Sequence, residues 1–324
     1  MEKRIHWIDV LKGIGILLVV LQHCIGLSGN TGVSSFVSVW ILSFHMPLFF
    51  YVSGLVYQEK SDNAFFAGKL RTLLLPVILF SLLNVIIKCT CRVLHIDVLY
   101  EFLNFAGFWF VLTILYIQIL YFVLEKINFQ KANEWAKVII AIIALLIGLY
   151  YSSIIQGNES TIATTLVGSF FFVGGILNQK YTLRSHKIVR IVLSIVCLSA
   201  GALLAQKNTP IMMYSSNYGN EGIFVLAAIC GCLGLKLAAE IISECRVLEW
   251  FGKNSLMILF THFPVHRCVM KILSYTPIDM ILQSILGCVF VLMIEIPIVI
   301  LISKYAPILK GVIKEENNTT NNTL

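Results

Sequence analysis

Long apolar runs recur along almost the whole chain, and they constrain its fold more than any other feature. A run of about 18 or more apolar residues is the length of α-helix that spans roughly 30 Å of hydrocarbon. Hydrophobic residues make up 58% of the sequence and charged residues only 13%, whereas soluble domains carry about 25% charged residues. The pattern predicts an all-α, polytopic integral membrane protein with ten transmembrane helices, near residues 8–27, 36–57, 70–94, 107–125, 136–153, 161–177, 187–205, 221–241, 252–272 and 279–303.

Basic residues are unevenly divided between the two sides of these predicted helices. If the N-terminus is cytoplasmic, nineteen of the 24 Lys and Arg residues lie on the inner side and five on the outer side. Basic residues accumulate in cytoplasmic loops, so both termini are predicted to be cytoplasmic. This distribution accounts for the net charge of +7 without a nucleic-acid partner. We expect a ten-helix membrane domain over residues 1–310 and a polar, disordered cytoplasmic tail over 311–324.

Two other features resemble signals of different protein classes. Lys3 and Arg4 precede an apolar run, as in a signal peptide, but this run is long enough to span and no A-x-A cleavage signal follows it. We therefore interpret it as the first transmembrane helix. The cysteines of the pair at 89 and 91, like those at 230 and 232, are too close together for a structural zinc site. No metal is expected.

Ionisable residues inside a spanning helix cost free energy, so each one suggests a function. The first predicted helix holds Asp9, Lys12 and His23. Lys12 and His23 are eleven positions apart, which places both on one stripe about 16 Å apart along the axis. Asp9 precedes Lys12 by three residues and joins this stripe. The alternative is that Asp9 and Lys12 are interfacial anchors and that His23 packs at a helix end.

The second predicted helix carries a histidine beside a proline, in the sequence F-H-M-P-L-F-F. Pro47 removes one helical hydrogen bond and frees a carbonyl. If the helix begins near Phe36, His45 lies about 13 Å below the outer surface, within reach of His23. His262, in the ninth predicted helix, is a third histidine on the same side. Histidines on neighbouring helices beside a kink indicate a site more than packing.

Two further motifs allow more than one interpretation. Lys69 and Arg71 are expected at the cytoplasmic start of the third helix. There they could anchor lipid headgroups or bind a phosphorylated ligand, and the sequence does not decide between these roles. Trp109 and Phe110 lie at the outer end of the fourth helix, where an aromatic belt is common.

These segments together resemble the acyltransferase-3 family of membrane acyltransferases, particularly the branch of sugar O-acetylases related to fucose 4-O-acetylase. The matching segments are 9–23, 44–54, 69–76, 109–110 and 252–262, so the resemblance covers essentially the whole chain. It implies ten core helices and transfer of an acyl group from cytoplasmic acyl-CoA, usually acetyl-CoA, to a carbohydrate hydroxyl at the outer face of the cell membrane.

The resemblance also implies roles for individual residues. The family's basic residue followed by ten residues and a histidine maps onto Lys12 and His23, although many members have Arg in place of Lys12. The basic pair of the third helix maps onto Lys69 and Arg71, which implies contact with CoA phosphates. His23 would act as general base or carry the acyl group as a nucleophile. His45 would orient His23 or stabilise the thioester oxyanion, with the supporting residues Asp9, Trp109 and His262.

A transporter or flippase for a lipid-linked glycan is the main alternative function. Broken helices and intramembrane charges occur in transporters as well. However, only Asp9 and Glu295 are acidic residues placed deep in the predicted helices. A proton-coupled carrier would be expected to bury more carboxylates, so the sequence favours the enzyme. The expected partners are acyl-CoA, a carbohydrate or lipid-linked glycan acceptor, and membrane lipids.

Overall fold

A computed structural model describes residues 5–28, 32–58, 61–90, 106–126, 133–155, 160–179 and 186–311. These residues form helices and no β-strand, apart from an isolated bridge between Met212 and Asn217. Ten of the helices in this described part are long and apolar enough to cross a membrane. The predicted all-α, ten-helix fold class is therefore confirmed. The predicted tail lies outside the described residues from position 312 onwards.

Twelve α-helices are numbered here in chain order. They are α1 (His6–Ser28), α2 (Gly32–Leu55), α3 (Asp62–Lys69), α4 (Leu75–Thr90), α5 (Trp109–Lys126), α6 (Glu134–Ile154), α7 (Thr161–Asn178), α8 (Lys187–Ala205), α9 (Glu221–Ile242), α10 (Arg246–Lys253), α11 (Ser255–Leu273) and α12 (Met280–Tyr305). A π-helical turn, Leu70–Leu74, joins α3 to α4, and together these three segments contain one candidate membrane span. The short helix α10 is not among the candidate spans.

Three helix boundaries differ from those predicted. Helix α2 begins at Gly32 rather than near 36, and it continues past Pro47 to its end. The third span begins at Asp62 rather than near 70. The ninth span begins at Ser255 rather than near 252, because the residues before Asn254 belong to the separate short helix α10. In each case the apolar window marked the span but did not define its first residue, because polar residues lie at the boundary.

The described residues of 1–59 and 108–297 form one compact unit. Helices α1, α2, α7 and α9 make up its interior, with α1 packed against α2, α9, α10 and α11. Helices α2 and α7 approach each other closely, because a Cβ atom on Gly54 would overlap the carbonyl oxygen of Phe172. Small residues at such crossings are typical of helix packing in membranes.

Helices α6, α8 and the first part of α12 lie at the periphery of this unit and present apolar side chains outward. Lipid tails offer these side chains the same apolar surroundings as a protein interior. Exposed examples are Ile143, Leu146, Ile147, Val192, Ile195, Val196 and Met293.

The described residues of 60–107 and 298–324 form a second compact unit. In this unit α4 packs against a 3₁₀ turn, Pro307–Lys310. Gly311 follows the turn with a positive φ of 72°, and a Cβ atom there would overlap the carbonyl oxygen of Arg71. This contact requires glycine for both its conformation and its size.

Candidate active site

Three histidines meet between α1 and α11, and we call them the histidine cluster. The ring centroid of His23 lies 5.2 Å from that of His262 and 5.5 Å from that of His266. The rings of His262 and His266 are 6.1 Å apart. Phe263 meets the ring of His23 edge-on at 5.5 Å. The three imidazoles are close enough that a proton gained by one ring affects the other two.

The cluster forms because two of its members share one face of α11. Residues four apart on a helix are neighbours on its surface, and His262 and His266 have this spacing. Both side chains are buried, at 2% exposure, whereas His23 is only partly buried. Pro264 lies between the two α11 histidines inside the helix. Among the three histidines, His23 is therefore the one with the largest exposed fraction.

Hydrogen bonds determine which nitrogen of His262 carries the proton. Its Nδ1 lies 2.8 Å from the carbonyl oxygen of Ile258 and 3.0 Å from that of Leu259. A carbonyl oxygen can only accept, so Nδ1–H is the donor and Nε2 of the neutral ring keeps its lone pair. Within the described part of the chain, this buried Nε2 has no hydrogen-bond partner. His262 therefore presents a basic nitrogen inside the protein.

His45 has the same arrangement on α2. It is buried, and its Nδ1 donates to the carbonyl oxygen of Ile41 at 2.8 Å. The structure brings it within electrostatic range of His23. Because α2 begins at Gly32, His45 lies about 20 Å along the helix, deeper than the 13 Å expected from a start at Phe36.

The two charged residues predicted on α1 lie near the opposite end of this helix from His23. Asp9 is buried and Lys12 is half-buried. Eleven residues of helix separate Lys12 from His23, a distance of roughly 16 Å along the axis. Between them Ile16, Val19 and Val20 are buried and apolar, and Gln22, next to His23, is buried and donates to Ser38. The stripe therefore has two polar ends joined by an apolar middle.

Lys69 and Arg71 belong to the second compact unit. Because the third span begins at Asp62, they lie inside this span rather than at its first residues. The ammonium group of Lys69 lies 5.6 Å above the ring of Phe65. Arg71 is exposed and belongs to the π-helical turn. Such turns often occur at functional sites.

Trp109 begins α5 and is partly exposed. Its ring lies 5.8 Å from the ring of Phe110, which is buried and lies 5.1 Å from the ring of Phe50. Among the described residues, Trp109 makes no ring contact with the histidine cluster. The pair thus contributes to packing between α5 and α2.

A hydrogen bond joins the other end of α1 to α10. Glu249 of α10 accepts from Lys253 at 2.9 Å and from Nδ1 of His6 at 3.0 Å. These two donors hold the pKa of Glu249 below its ordinary value. On α9, Lys236 and Glu240 form a buried pair at 3.2 Å. Of these contacts, the one between His6 and Glu249 joins α1 to α10, and the other two lie within α10 and within α9.

Two features of the site were missed in the sequence. His266 was not singled out, although its spacing of four residues from His262 was visible. Thr261 donates to Glu295, a fully buried carboxyl group on α12. Glu295 thereby contacts the turn of α11 that carries His262. Among the residues that the structure describes, no group of three His, Cys, Asp or Glu side chains is arranged to hold a metal ion.

An apolar cavity of about 250 Å³ lies between α2, α6, α7 and α9, away from these polar groups. Its lining includes Tyr51, Ala141, Phe171, Gly174 and Cys232, and no histidine. The cavity therefore does not coincide with the histidine cluster, whose chemistry is the stronger indication of an active site.

Comparison with known proteins identifies the family. The model of a family described as an acyltransferase domain matches residues 5–301, which include every histidine discussed above. No curated protein and no solved structure matches the chain. Because the match covers nearly all of its helices, the chain belongs to the acyltransferase-3 family of membrane acyltransferases.

Proposed function

We propose that the protein transfers an acetyl group, or another short acyl group, from cytoplasmic acyl-CoA to a hydroxyl of a cell-surface or lipid-linked carbohydrate. The observation that carries this proposal is the partly exposed ring of His23, held against two buried histidines between spanning helices. Family membership supports the acyl-transfer chemistry. The resemblance to sugar O-acetylases supports the carbohydrate acceptor, and the plasma membrane is the proposed location.

His23 has two possible tasks in this reaction. It can take the proton of the acceptor hydroxyl as general base, or it can attack the thioester and carry the acyl group. Both tasks need a neutral imidazole with an available nitrogen. His45 and His262, whose Nδ1–H groups donate to backbone carbonyls, present Nε2 in fixed positions. They can orient His23 or the reacting groups around it.

The acyl donor is proposed to bind through basic side chains. CoA carries phosphates, and Arg binds phosphate with two parallel hydrogen bonds. Arg71 is exposed, and Lys69 lies on the preceding helical turn. Lys12, half-buried on α1, is a third candidate for contact with the donor. Lys keeps the charge of the Arg found in many family members but lacks its planar fork.

The proposal can be tested with purified protein in proteoliposomes. The vesicles are supplied with radiolabelled acetyl-CoA and a panel of free and lipid-linked sugars. The wild type should label at least one carbohydrate. His23→Ala should insert normally and lower the transfer rate by about 10²–10⁴-fold, the usual cost of losing an acid–base group. His23→Gln should not restore activity, because an amide cannot take up a proton at neutral pH.

His186→Ala is the matched control, since His186 is exposed at the start of α8 and does not belong to the cluster. It should leave transfer unchanged. Near-normal transfer by His23→Ala would show that the catalytic assignment is wrong. A wild type that moves a lipid-linked glycan across the vesicle membrane without acylating it would support the flippase instead.

A further inference from the structure

His23 lies almost equally far from two histidines on successive turns of α11. Its ring centroid is 5.2 Å from that of His262 and 5.5 Å from that of His266, with ring planes inclined by 43° and 46°. In the described structure the ring of His23 contacts these two histidines and Phe263. A proton taken up by His23 therefore meets other imidazoles rather than a carboxylate.

The two α11 histidines differ in how their nitrogens are used. Nδ1–H of His262 donates to a backbone carbonyl, so this ring can exchange a proton only at Nε2. The carbonyls of His262 and Phe263 lie near the ring of His266. Even so, Nδ1 of His266 is buried without a hydrogen-bond partner in the described part of the chain. His266 thus differs from His262 in lacking a well-formed hydrogen bond at Nδ1.

We infer that His266 is the proton partner of His23 during acyl transfer. This inference rests on the proposed function. The acceptor oxygen bonds to the acyl carbon while its proton passes to His23, and His23 passes a proton from its other nitrogen to His266. The carbon–sulfur bond breaks with its electron pair on sulfur. The proton then returns through His23 to the thiolate, which leaves as the free thiol of CoA, and both rings are neutral again.

A protonated imidazole without a partner is costly among buried side chains. Sharing the proton between two rings reduces this cost at the moment when His23 would carry a full charge. His266 does not touch the substrate in this scheme, so it is a positioning residue that acts through His23. A residue of that kind should affect turnover, not binding of the acyl donor.

Kinetics of four variants test the inference, with acetyl-CoA as donor and release of the CoA thiol as readout. His266→Phe keeps a buried ring but no proton acceptor, and it should lower kcat by about 10²-fold with KM for acetyl-CoA unchanged. Val269→Ala removes a buried side chain on the next turn of α11 and serves as the control. It should change kcat by less than threefold. His23→Ala combined with His266→Phe should be no slower than His23→Ala alone, because residues that act as a unit are not additive.

Two further measurements separate proton transfer from packing. Imidazole should restore part of the activity of His266→Ala, whereas pyrrole, a ring of similar size without a basic nitrogen, should not. In ¹⁵N-histidine NMR spectra, which need no turnover, His266→Phe should shift the His23 resonances and leave those of His45 unchanged. If His266→Phe keeps wild-type kcat, or if the double variant is slower than His23→Ala alone, the inference is overturned. If His23→Ala itself transfers the acyl group at the wild-type rate, the proposed function is refuted instead.

Discussion

The contact between α1 and α10 predicts the effect of a single added methyl group. A Cβ atom on Gly252 would overlap the carbonyl oxygen of Asp9, and one on Gly13 would overlap that of Leu248. The two helices therefore touch backbone to backbone at both positions. Gly252→Ala requires them to separate, because neither carbonyl can rotate away as a side chain could.

The magnitude follows from two opposing effects. Alanine is favoured over glycine in a helix by about 0.5–1 kcal/mol, whereas overpacking a tight contact typically costs about 1–3 kcal/mol or more. Since backbone atoms lie on both sides here, the upper part of that range applies, and a net loss of about 1–2 kcal/mol is expected. Gly26 of α1 is the matched control, because nothing lies within 4 Å of a Cβ atom added there. Gly26→Ala should stabilise the protein by about 0.5–1 kcal/mol.

Unfolding the purified proteins in mixed micelles with increasing SDS measures the free energy of unfolding of Gly252→Ala and of Gly26→Ala relative to the wild type. Gly252→Ala should lower the rate of acyl transfer by more than the loss of folded protein explains. The reason is that α10 leads through Asn254 directly into the helix that carries His262. A displacement of about 1 Å at reacting groups can lower a rate about 10²-fold. If Gly252→Ala is as stable as the wild type, or if Gly26→Ala is equally destabilised, the close approach of α1 and α10 is refuted.

Three other predictions concern orientation, donor binding and pH. In a variant without native cysteines, an impermeant thiol reagent added outside should label Thr209→Cys but not Glu244→Cys, both exposed positions. The reverse pattern would invert the predicted orientation. Arg71→Ala should raise KM for acetyl-CoA about ten- to a hundredfold, the worth of a charge-assisted phosphate contact, with KM for the acceptor unchanged. Equal changes in both would favour a lipid anchor. Lys253 and His6 donate to Glu249, and this lowers the pKa of its carboxyl group in the folded protein. Its contribution to folding stability is therefore complete above the ordinary pKa of 4.5. That contribution is lost as the pH falls through the lower pKa of the folded state. Glu249→Gln should flatten that part of the stability curve, and an unchanged curve would contradict the ion pairs.

The spanning helices could be predicted from the sequence because hydrocarbon thickness alone sets their length and composition. Their ends could not, since polar residues extend a helix or divide it without changing its apolar centre. The segment from Asp62 to Lys69 extends the third span, although it is too polar to be included in an apolar window. Asn254 separates α10 from α11 inside a run that appears continuous. Both errors arise from backbone geometry that average hydropathy does not report.

Single members of the site could be predicted as well, but their grouping could not. His23, His45 and His262 are conspicuous because ionisable rings are rare in spanning helices. His266 is followed at once by Arg267, near a helix end where polar residues are common. A histidine in such a position is not conspicuous in the sequence. The contact of α1 with α11 joins residues about 240 positions apart, and helical periodicity within either segment contains no information about it.

The use of histidines in place of a carboxylate fits the surroundings of this site. In serine hydrolases a buried Asp holds the catalytic histidine and stabilises its protonated form. A permanently charged group of that kind is expensive between spanning helices, whereas neutral imidazole brings a base of moderate strength without net charge. The fully buried carboxyl group of Glu295 contacts Thr261 and does not touch the ring of His23 in the described structure. If His23 takes up a proton during transfer, the neighbouring imidazoles are the groups placed to share it, and this is the reason for proposing that a second histidine takes part in the reaction.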